Sequence, residues 1–195
     1  MEIKRFVGGM PEANCYVISD RRGKSYIIDP GYNPKKTVKY VEDEGLDVQG
    51  IVLTHHHYDH CEAAPYIRKE LGCPVMIHIN DADRYKNGAD LLLEDGQTLD
   101  MGDDRLFVIN TPGHTKGGIC LYCPEQRVCF TGDTLFNVDL GRTDLEDGSE
   151  EEMCQSILNV CNTWGNDVTI YPGHGDPATM KFVRKHNREF IDIVK

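Results

Sequence analysis

Residues 54–60 read THHHYDH, which places four imidazole side chains and one carboxylate within seven positions. The stretch follows the apolar run of residues 50–53, which we predict to be a short buried strand. It precedes residues 61–71, which we predict to be a helix that ends at Gly72. Imidazoles and carboxylates are common metal ligands, and loops held by a rigid sheet often carry function. The stretch therefore predicts a metal site at the end of a strand.

The spacing within the stretch separates its side chains into two sets. In extended backbone successive side chains point to opposite faces, so His55 and His57 point one way and His56 points the other. His55 and His57 can therefore hold one metal ion between them. Asp59 and His60 follow where the chain must turn into the helix, and they can face a second ion. These side chains complete neither site, so further ligands must come from elsewhere in the chain.

Three later segments supply candidate ligands in similar positions. His114 lies in TPGHT after the predicted strand RLFVIN, Asp133 lies in TGDT after RVCF, and His174 lies in PGHG after DVTIY. Each of these residues follows a strand and has a glycine beside it, which lets the backbone approach closely. We therefore expect the three side chains to complete the metal sites that residues 54–60 begin.

Strands and helices alternate in two similar halves of the chain. In each half, short apolar strands punctuated by glycine, aspartate or proline are followed by amphipathic helices. Helices are predicted over residues 34–44, over 61–71 and from 179 to the C-terminus. A further helix is predicted after Ser149, where Ser149 and Glu152 form a capping box. The pattern indicates two β-layers flanked by helices.

The motif HxHxDH followed by GHT, GDT and PGHG resembles that of the metallo-β-lactamase fold over roughly residues 13–176. The resemblance implies an α/β (α+β) fold, a four-layer αββα sandwich with a dinuclear site on one edge, which we expect to form a single domain over residues 1–195. It also implies two divalent metal ions, zinc or alternatively iron or manganese. On this resemblance the metal ligands are His55, His57 and His114 for one ion, Asp59, His60 and His174 for the other, and Asp133 for both.

Asp59 and Asp133 are also the predicted catalytic residues. A hydroxide shared by the two metals would attack the substrate, Asp133 would bridge the metals, and Asp59 would orient this nucleophile. Asp29, at the end of the predicted strand YIID, is a candidate partner for a ligand histidine, and the alternative is a turn residue in DPG.

Within this fold the chain resembles the glyoxalase II (hydroxyacylglutathione hydrolase) group, especially its short bacterial form. The segments that carry the resemblance are TGDTLF at 131–136, GRTD at 141–144 and YPGHG at 171–175. They imply hydrolysis of S-D-lactoylglutathione or a related acyl-thiol. Arg142 aligns with a basic substrate-binding position and would bind a carboxylate. The alternative is that Arg142 pairs with Asp144 or Asp139.

Other activities of the same fold remain open. GRTD also occurs in mononuclear iron persulfide dioxygenases, although these usually show a PAHDY-like segment where this chain has PGHGD. Another small ester or thioester is a further alternative, as is metal binding without catalysis. Zinc β-lactamases usually place Cys or His at the position of Asp133, which argues against that activity. Only 20 residues follow Gly175, too few for the helical domain with which larger glyoxalase II enzymes bind glutathione, so the thiol is open as well.

Composition limits the partners. The net charge of −11, from 32 acidic and 21 basic residues, argues against binding the phosphate backbone of nucleic acids. No run of about 18 apolar residues exists, so no membrane span is predicted. The N-terminal residues lack the apolar region of a secretory signal, so we expect a cytoplasmic protein that acts on a small molecule. The oligomeric state does not follow from the sequence.

Overall fold

The computed structural model describes residues 1–195, and its strands form two six-stranded sheets that pack face to face. Strands of the first sheet are Glu2–Gly8 (β1), Ala13–Ser19 (β2), Lys24–Ile28 (β3), Asp47–Leu53 (β4), Val75–His78 (β5) and Leu91–Leu93 (β6). Strands of the second are Thr98–Met101 (β7), Asp104–Asn110 (β8), Ile119–Cys123 (β9), Val128–Gly132 (β10), Thr169–Pro172 (β11) and Ala178–Thr179 (β12). In both sheets each strand lies beside its neighbours in chain order.

The chain forms six α-helices, and five of them cover the outer faces of the sheets. The six helices are Pro34–Asp43 (α1), Tyr58–Cys61 (α2), Ala64–Leu71 (α3), Glu150–Asn159 (α4), Met180–His186 (α5) and Arg188–Val194 (α6). Side chains of α1 and α3 pack on the first sheet, and those of α4, α5 and α6 pack on the second. The architecture is therefore the αββα sandwich that the sequence predicts. None of these helices combines the length and the apolar character needed to cross a bilayer.

Strand β2 shows how one segment serves two apolar layers. Its side chains alternate, so that Tyr16 and Ile18 lie in the core between the sheets while Cys15 and Val17 lie in the layer beneath α1 and α3. Both faces of the strand are thus buried, which explains why NCYVIS is almost continuously apolar.

Parallel pairing places the predicted ligands at one edge. β3, β4 and β5 run parallel, so their carboxyl ends lie at the same edge of the first sheet. Asp29 follows β3, and residues 54–60 follow β4. In the second sheet β10 and β11 are parallel, which brings Asp133 and His174 to neighbouring strand ends. The loops that the sequence singled out therefore start next to one another.

Two predicted helices are interrupted. The segment predicted as one helix over residues 61–71 is divided between two: Cys61 is the last residue of α2, and α3 covers Ala64–Leu71. Helix α3 ends as predicted at Gly72, which adopts the left-handed conformation (φ 65°). The C-terminal segment forms α5 and α6 rather than one helix. Asn187 separates them because its side-chain oxygen accepts a hydrogen bond from the N–H of Phe190 at 2.9 Å and so begins a new helix.

Half of the predicted capping box is present at the start of α4. Ser149 Oγ accepts a hydrogen bond from the N–H of Glu152 at 3.2 Å. The N–H of Ser149, however, donates to the carbonyl of Gly113 at 2.8 Å, so it is not available to the Glu152 side chain. This tertiary contact joins α4 to the loop that carries His114.

Asn14 of β2 ties the first sheet to the loop that carries His174. Its Nδ2 donates to the carbonyls of Pro172 and Gly175, both at 2.8 Å, and its backbone N–H donates to the carbonyl of Gly173 at 2.7 Å. The Asn14 side chain is buried, so water cannot replace these hydrogen bonds at low cost.

We expect Asn14→Ala to lower the free energy of unfolding by about 2 kcal/mol, because the carbonyl of Gly175 loses this donor and that of Pro172 loses one of two. Denaturant-induced unfolding in the presence of a chelator measures this without a contribution from bound metal. Asn159→Ala removes an exposed hydrogen bond to Gln155 and is the matched control, with an expected change below about 0.5 kcal/mol. Equal destabilisation by the two substitutions would contradict the prediction.

Candidate metal centre

The seven predicted ligands lie together at the edge of the sandwich where these strands end. Asp133 occupies the centre of the group. Its Oδ2 atom is 3.4 Å from Nε2 of both His114 and His174, and 4.0 Å from Nε2 of His55. Its Oδ1 atom is 3.4 Å from Nε2 of His60. One carboxylate thus faces four imidazoles from both sheets.

The remaining contacts divide the side chains into the two sets that the resemblance implies. In the first set, His55, His57 and His114 have ligand atoms within 4.8 Å of one another, and His57 Nδ1 lies 2.9 Å from His114 Nε2. In the second set, Asp59 Oδ2 lies 3.5 Å from His60 Nε2 and 3.3 Å from His174 Nε2.

The donors fit divalent metal ions in both number and chemistry. His55 Nε2 and Asp133 Oδ1 are buried and have no hydrogen-bond partner in the protein. Leaving such atoms unpaired costs free energy that coordination to a cation would offset. Imidazole nitrogens and carboxylate oxygens suit zinc, iron and manganese, so the donor set by itself does not select one metal.

Protonation equilibria within the cluster also favour a positive charge at this place. Burial, together with His114, lowers the pKa of His57 to about 4, so its ring is neutral and free to coordinate. Burial alone would raise the pKa of Asp133, but His60 and His174 outweigh it and hold that pKa at about 2. Burial alone would lower the pKa of His174, but Asp133 and Asp59 raise it to about 10. The carboxylates thus attract a cation to the second set.

Asp29 orients His60 of the second set through the ring nitrogen that faces away from Asp133. Its Oδ1 accepts from the N–H of Thr54 at 2.7 Å, and its Oδ2 accepts from Thr54 Oγ1 at 2.6 Å. Oδ2 also lies 3.1 Å from His60 Nδ1, which leaves His60 Nε2 directed towards Asp133. The expected contact of Asp29 with a histidine of the predicted ligand set is therefore present. Such contacts fix the orientation and tautomer of metal-binding imidazoles.

Two other histidines are held in the same manner by backbone carbonyls. His114 Nδ1 lies 2.8 Å from the carbonyl oxygen of Arg142, and His174 Nδ1 lies 2.5 Å from that of Glu12. In each ring Nδ1 is the donor and Nε2 remains for a ligand.

Asp81 is a supporting residue that the sequence analysis missed. It is fully buried and lies 3.0 Å from His56 Nδ1, and it accepts hydrogen bonds from Thr115 Oγ1 at 2.9 Å and from the N–H of Gly117. His56, which points away from the predicted metal sites, thereby anchors residues 54–60 to the loop after His114. No motif marks Asp81, because its partners are 25 to 36 positions away in sequence.

Arg142 forms the ion pair that the sequence analysis left as an alternative. Its Nε and Nη2 donate to the two carboxylate oxygens of Asp144 at 2.7 and 2.8 Å. Arg142 also lines a cleft of about 550 Å³ beside the metal ligands, together with the apolar side chains of Phe136, Val138 and Leu140. Its predicted role in binding a substrate carboxylate stays a prediction.

Comparisons of the sequence identify related proteins. A model of the Metallo-beta-lactamase superfamily matches residues 9–179. The probable metallo-hydrolase YqgX of Bacillus subtilis is 32% identical, over 98% of this chain and 98% of that protein. The cytoplasmic hydroxyacylglutathione hydrolase of Saccharomyces cerevisiae is 35% identical, over 88% of this chain and 67% of that protein. The probable polyketide biosynthesis zinc-dependent hydrolase PksB of Bacillus subtilis is 33% identical, over 90% of this chain and 80% of that protein.

Solved structures agree with the sequence matches. The BLEG-1 B3 metallo-beta-lactamase superposes with a TM-score of 0.90 at 28% identity, over 97% of this chain and 99% of that chain. ETHE1 from Myxococcus xanthus superposes with a TM-score of 0.87 at 25% identity, over 100% of this chain and 90% of that chain. The di-iron-bound structure of TTHA1623 superposes with a TM-score of 0.83 at 27% identity, over 95% of this chain and 99% of that chain. The fold, the seven convergent side chains and the matching family model lead to one conclusion: this chain belongs to the metallo-β-lactamase superfamily of metal-dependent hydrolases.

Proposed function

We propose that the protein is a thioester hydrolase of the glyoxalase II type, which cleaves S-D-lactoylglutathione or a related acyl-thiol. The observation that carries this proposal is the complete set of seven donors with Asp133 between its two halves. The similarity to the yeast hydroxyacylglutathione hydrolase over most of this chain supports the thioester as the reacting group.

In this proposal His55, His57 and His114 hold one metal ion, Asp59, His60 and His174 hold the other, and Asp133 contacts both. We propose zinc, with iron or manganese as alternatives. The similarity to a zinc-dependent hydrolase supports zinc, and the similarity to a di-iron-bound structure supports iron. When bound, such ions lower the pKa of water towards 7 and stabilise negative charge on a carbonyl oxygen.

Residues of the chain would position the reactants. The carboxylate of Asp59 lies at the border between the ligand cluster and open space, where it can accept a hydrogen bond from the attacking water. Water adds to the acyl carbon and the carbon–sulfur bond breaks, which yields a carboxylate, a thiol and one proton. Because the thiol has a pKa near 8.5, the thiolate leaves without a proton donor, so the site needs no general acid. Phe136 and Leu140 form an apolar part of the cleft wall beside the ligands.

A persulfide dioxygenase with a single iron is the second candidate. The motif GRTD at residues 141–144 favours it, because the same motif occurs in those enzymes. A hydrolase for another small ester is related to the main proposal, and the similarity to a B3 metallo-beta-lactamase makes a β-lactam a necessary comparison substrate.

Removal of metal is expected to abolish hydrolysis. Purified protein is assayed with a panel of acyl thioesters that includes S-D-lactoylglutathione, before and after chelation, and again after addition of zinc, iron or manganese. We expect rapid cleavage of at least one thioester, loss of the activity on chelation and its recovery with the physiological metal. A metal-loaded protein that cleaves none of the thioesters would contradict the proposal, and cleavage of a β-lactam or uptake of oxygen with a persulfide would then identify the activity.

We expect Asp133→Ala to lower kcat/KM by about 10³-fold, because it removes the only side chain that faces both ligand sets. Metal analysis of the same sample is expected to fall from two ions per chain to one or fewer. Asp43→Ala, which removes an exposed partner of Lys39, is the matched control with two metals and unchanged kcat/KM. Retention of both metals and of the full rate by Asp133→Ala would refute the assignment.

A further inference from the structure

Two clefts open beside the candidate metal centre, and the loop of residues 9–12 lies between them. The cleft of about 550 Å³ is lined by His114, Asp133 and His174, and by Pro11 of the loop. A second cleft, of about 530 Å³, is lined by Asp59 and by the rest of the loop. A substrate that brings its acyl carbon to the ligands therefore places its remaining atoms in one or both of these clefts.

Large apolar side chains stand exposed in the second cleft. Met10 is 91% exposed, Tyr58 is 61% exposed and Tyr32 is 56% exposed. Tyr58 donates its hydroxyl to the carbonyl of Met10 at 3.1 Å, and Glu12 is held through its carbonyl by His174, so the loop is fixed at both sides of its tip. Adjacent exposed apolar side chains on a loop whose backbone is held in place are typical of a binding surface for an uncharged group.

The charged side chains of the two clefts are almost all acidic. Glu12 and Glu62 line the second cleft and Asp139 lines the first, and all three are exposed. Arg142 is the only Lys or Arg side chain that lines either cleft, and its Nε and Nη2 atoms donate to the two carboxylate oxygens of Asp144, which neutralises part of its charge. Outside the metal ligands, an anionic substrate group would therefore meet mostly negative charge in these clefts.

We propose that the thiol part of the substrate is an uncharged chain of amide and alkyl groups and not an anionic thiol. This inference rests on the proposed thioester hydrolysis. A glutathione thioester carries two carboxylates and one ammonium group beyond its sulfur, and both carboxylates are ionised at pH 7. In the clefts these carboxylates would be repelled by Glu12, Glu62 and Asp139. An uncharged chain can instead lie on the side chains of Met10, Tyr32 and Tyr58. Bound metal ions would add positive charge at the ligand cluster, which the carboxylates of Asp59 and Asp133 would partly offset.

The test compares two thioesters that share one acyl group. Metal-loaded protein is assayed with S-D-lactoyl-N-acetylcysteamine, whose thiol is uncharged, and with S-D-lactoylglutathione. We expect kcat/KM to be at least about tenfold higher for the uncharged thioester, with the difference mainly in KM. Added salt should raise the rate with the glutathione thioester and leave the rate with the uncharged thioester nearly constant, because salt screens the repulsion between exposed charges.

Reversal of one charge provides the matched variant. Glu62→Lys is expected to reduce the preference for the uncharged thioester by at least about threefold, because it converts a repulsive side chain of the cleft into an attractive one. Glu42→Lys makes the same charge change on the exposed face of α1, away from both clefts, and should leave the preference unchanged.

The outcomes separate this inference from the proposed function. Equal or better hydrolysis of the glutathione thioester would overturn the inference and leave thioester hydrolysis supported. An identical shift in preference from Glu62→Lys and Glu42→Lys would also overturn it, because the effect would then come from net charge alone. If neither thioester is cleaved by the metal-loaded protein, the proposed function fails and the inference fails with it.

Discussion

The buried carboxylate of Asp133 is the group on which the rest of the site depends. A charge removed from water is stable only when opposite charges or hydrogen-bond donors surround it, and here imidazoles from three other loops do so. The backbone must bring those loops very close. A Cβ atom on Gly173 would collide with Asp133 Oδ1 and with the ring of His60, and one on Gly141 would collide with the Asp133 carbonyl. The glycines of these segments are therefore a steric requirement of the cluster.

Buried polar contacts outside the ligand set keep the loops at this distance. Asp29 joins the ends of β3 and β4, and Asp81 joins residues 54–60 to the loop after β8. The hydroxyls of Thr111 and Thr134 lie 2.8 Å apart and connect the loops of His114 and Asp133. Each contact replaces bonds to water that burial removed, so loss of one partner leaves an unpaired polar group. The geometry of the ligands is thus supported from both sheets at once.

The clefts depend on different parts of the chain than the ligands do. The wall that contains Phe136 and Leu140 is held by α6, because Asn187 Nδ2 donates to the carbonyl of Phe136 at 3.2 Å and Glu189 accepts from the N–H of Leu140 at 2.8 Å. Residues 187–189 therefore help to shape the cleft of about 550 Å³ beside the ligands.

The sequence by itself determined two β-layers flanked by helices and the candidate ligands, because short apolar runs mark buried strands and ligand residues stand in short motifs at strand ends. The resemblance to the metallo-β-lactamase fold added the αββα arrangement and the division of the seven ligands into two sets. Only the tertiary structure decided the partners of those side chains. The contact of Asp81 with His56 has no motif of its own, and the sequence left the pairing of Arg142 with Asp144 as one of several alternatives. The division of the C-terminal segment at Asn187 likewise follows from contacts with residues about 50 positions away. These partners are set by the tertiary packing, which brings groups distant in sequence within hydrogen-bond distance. A pattern along the chain does not contain that information.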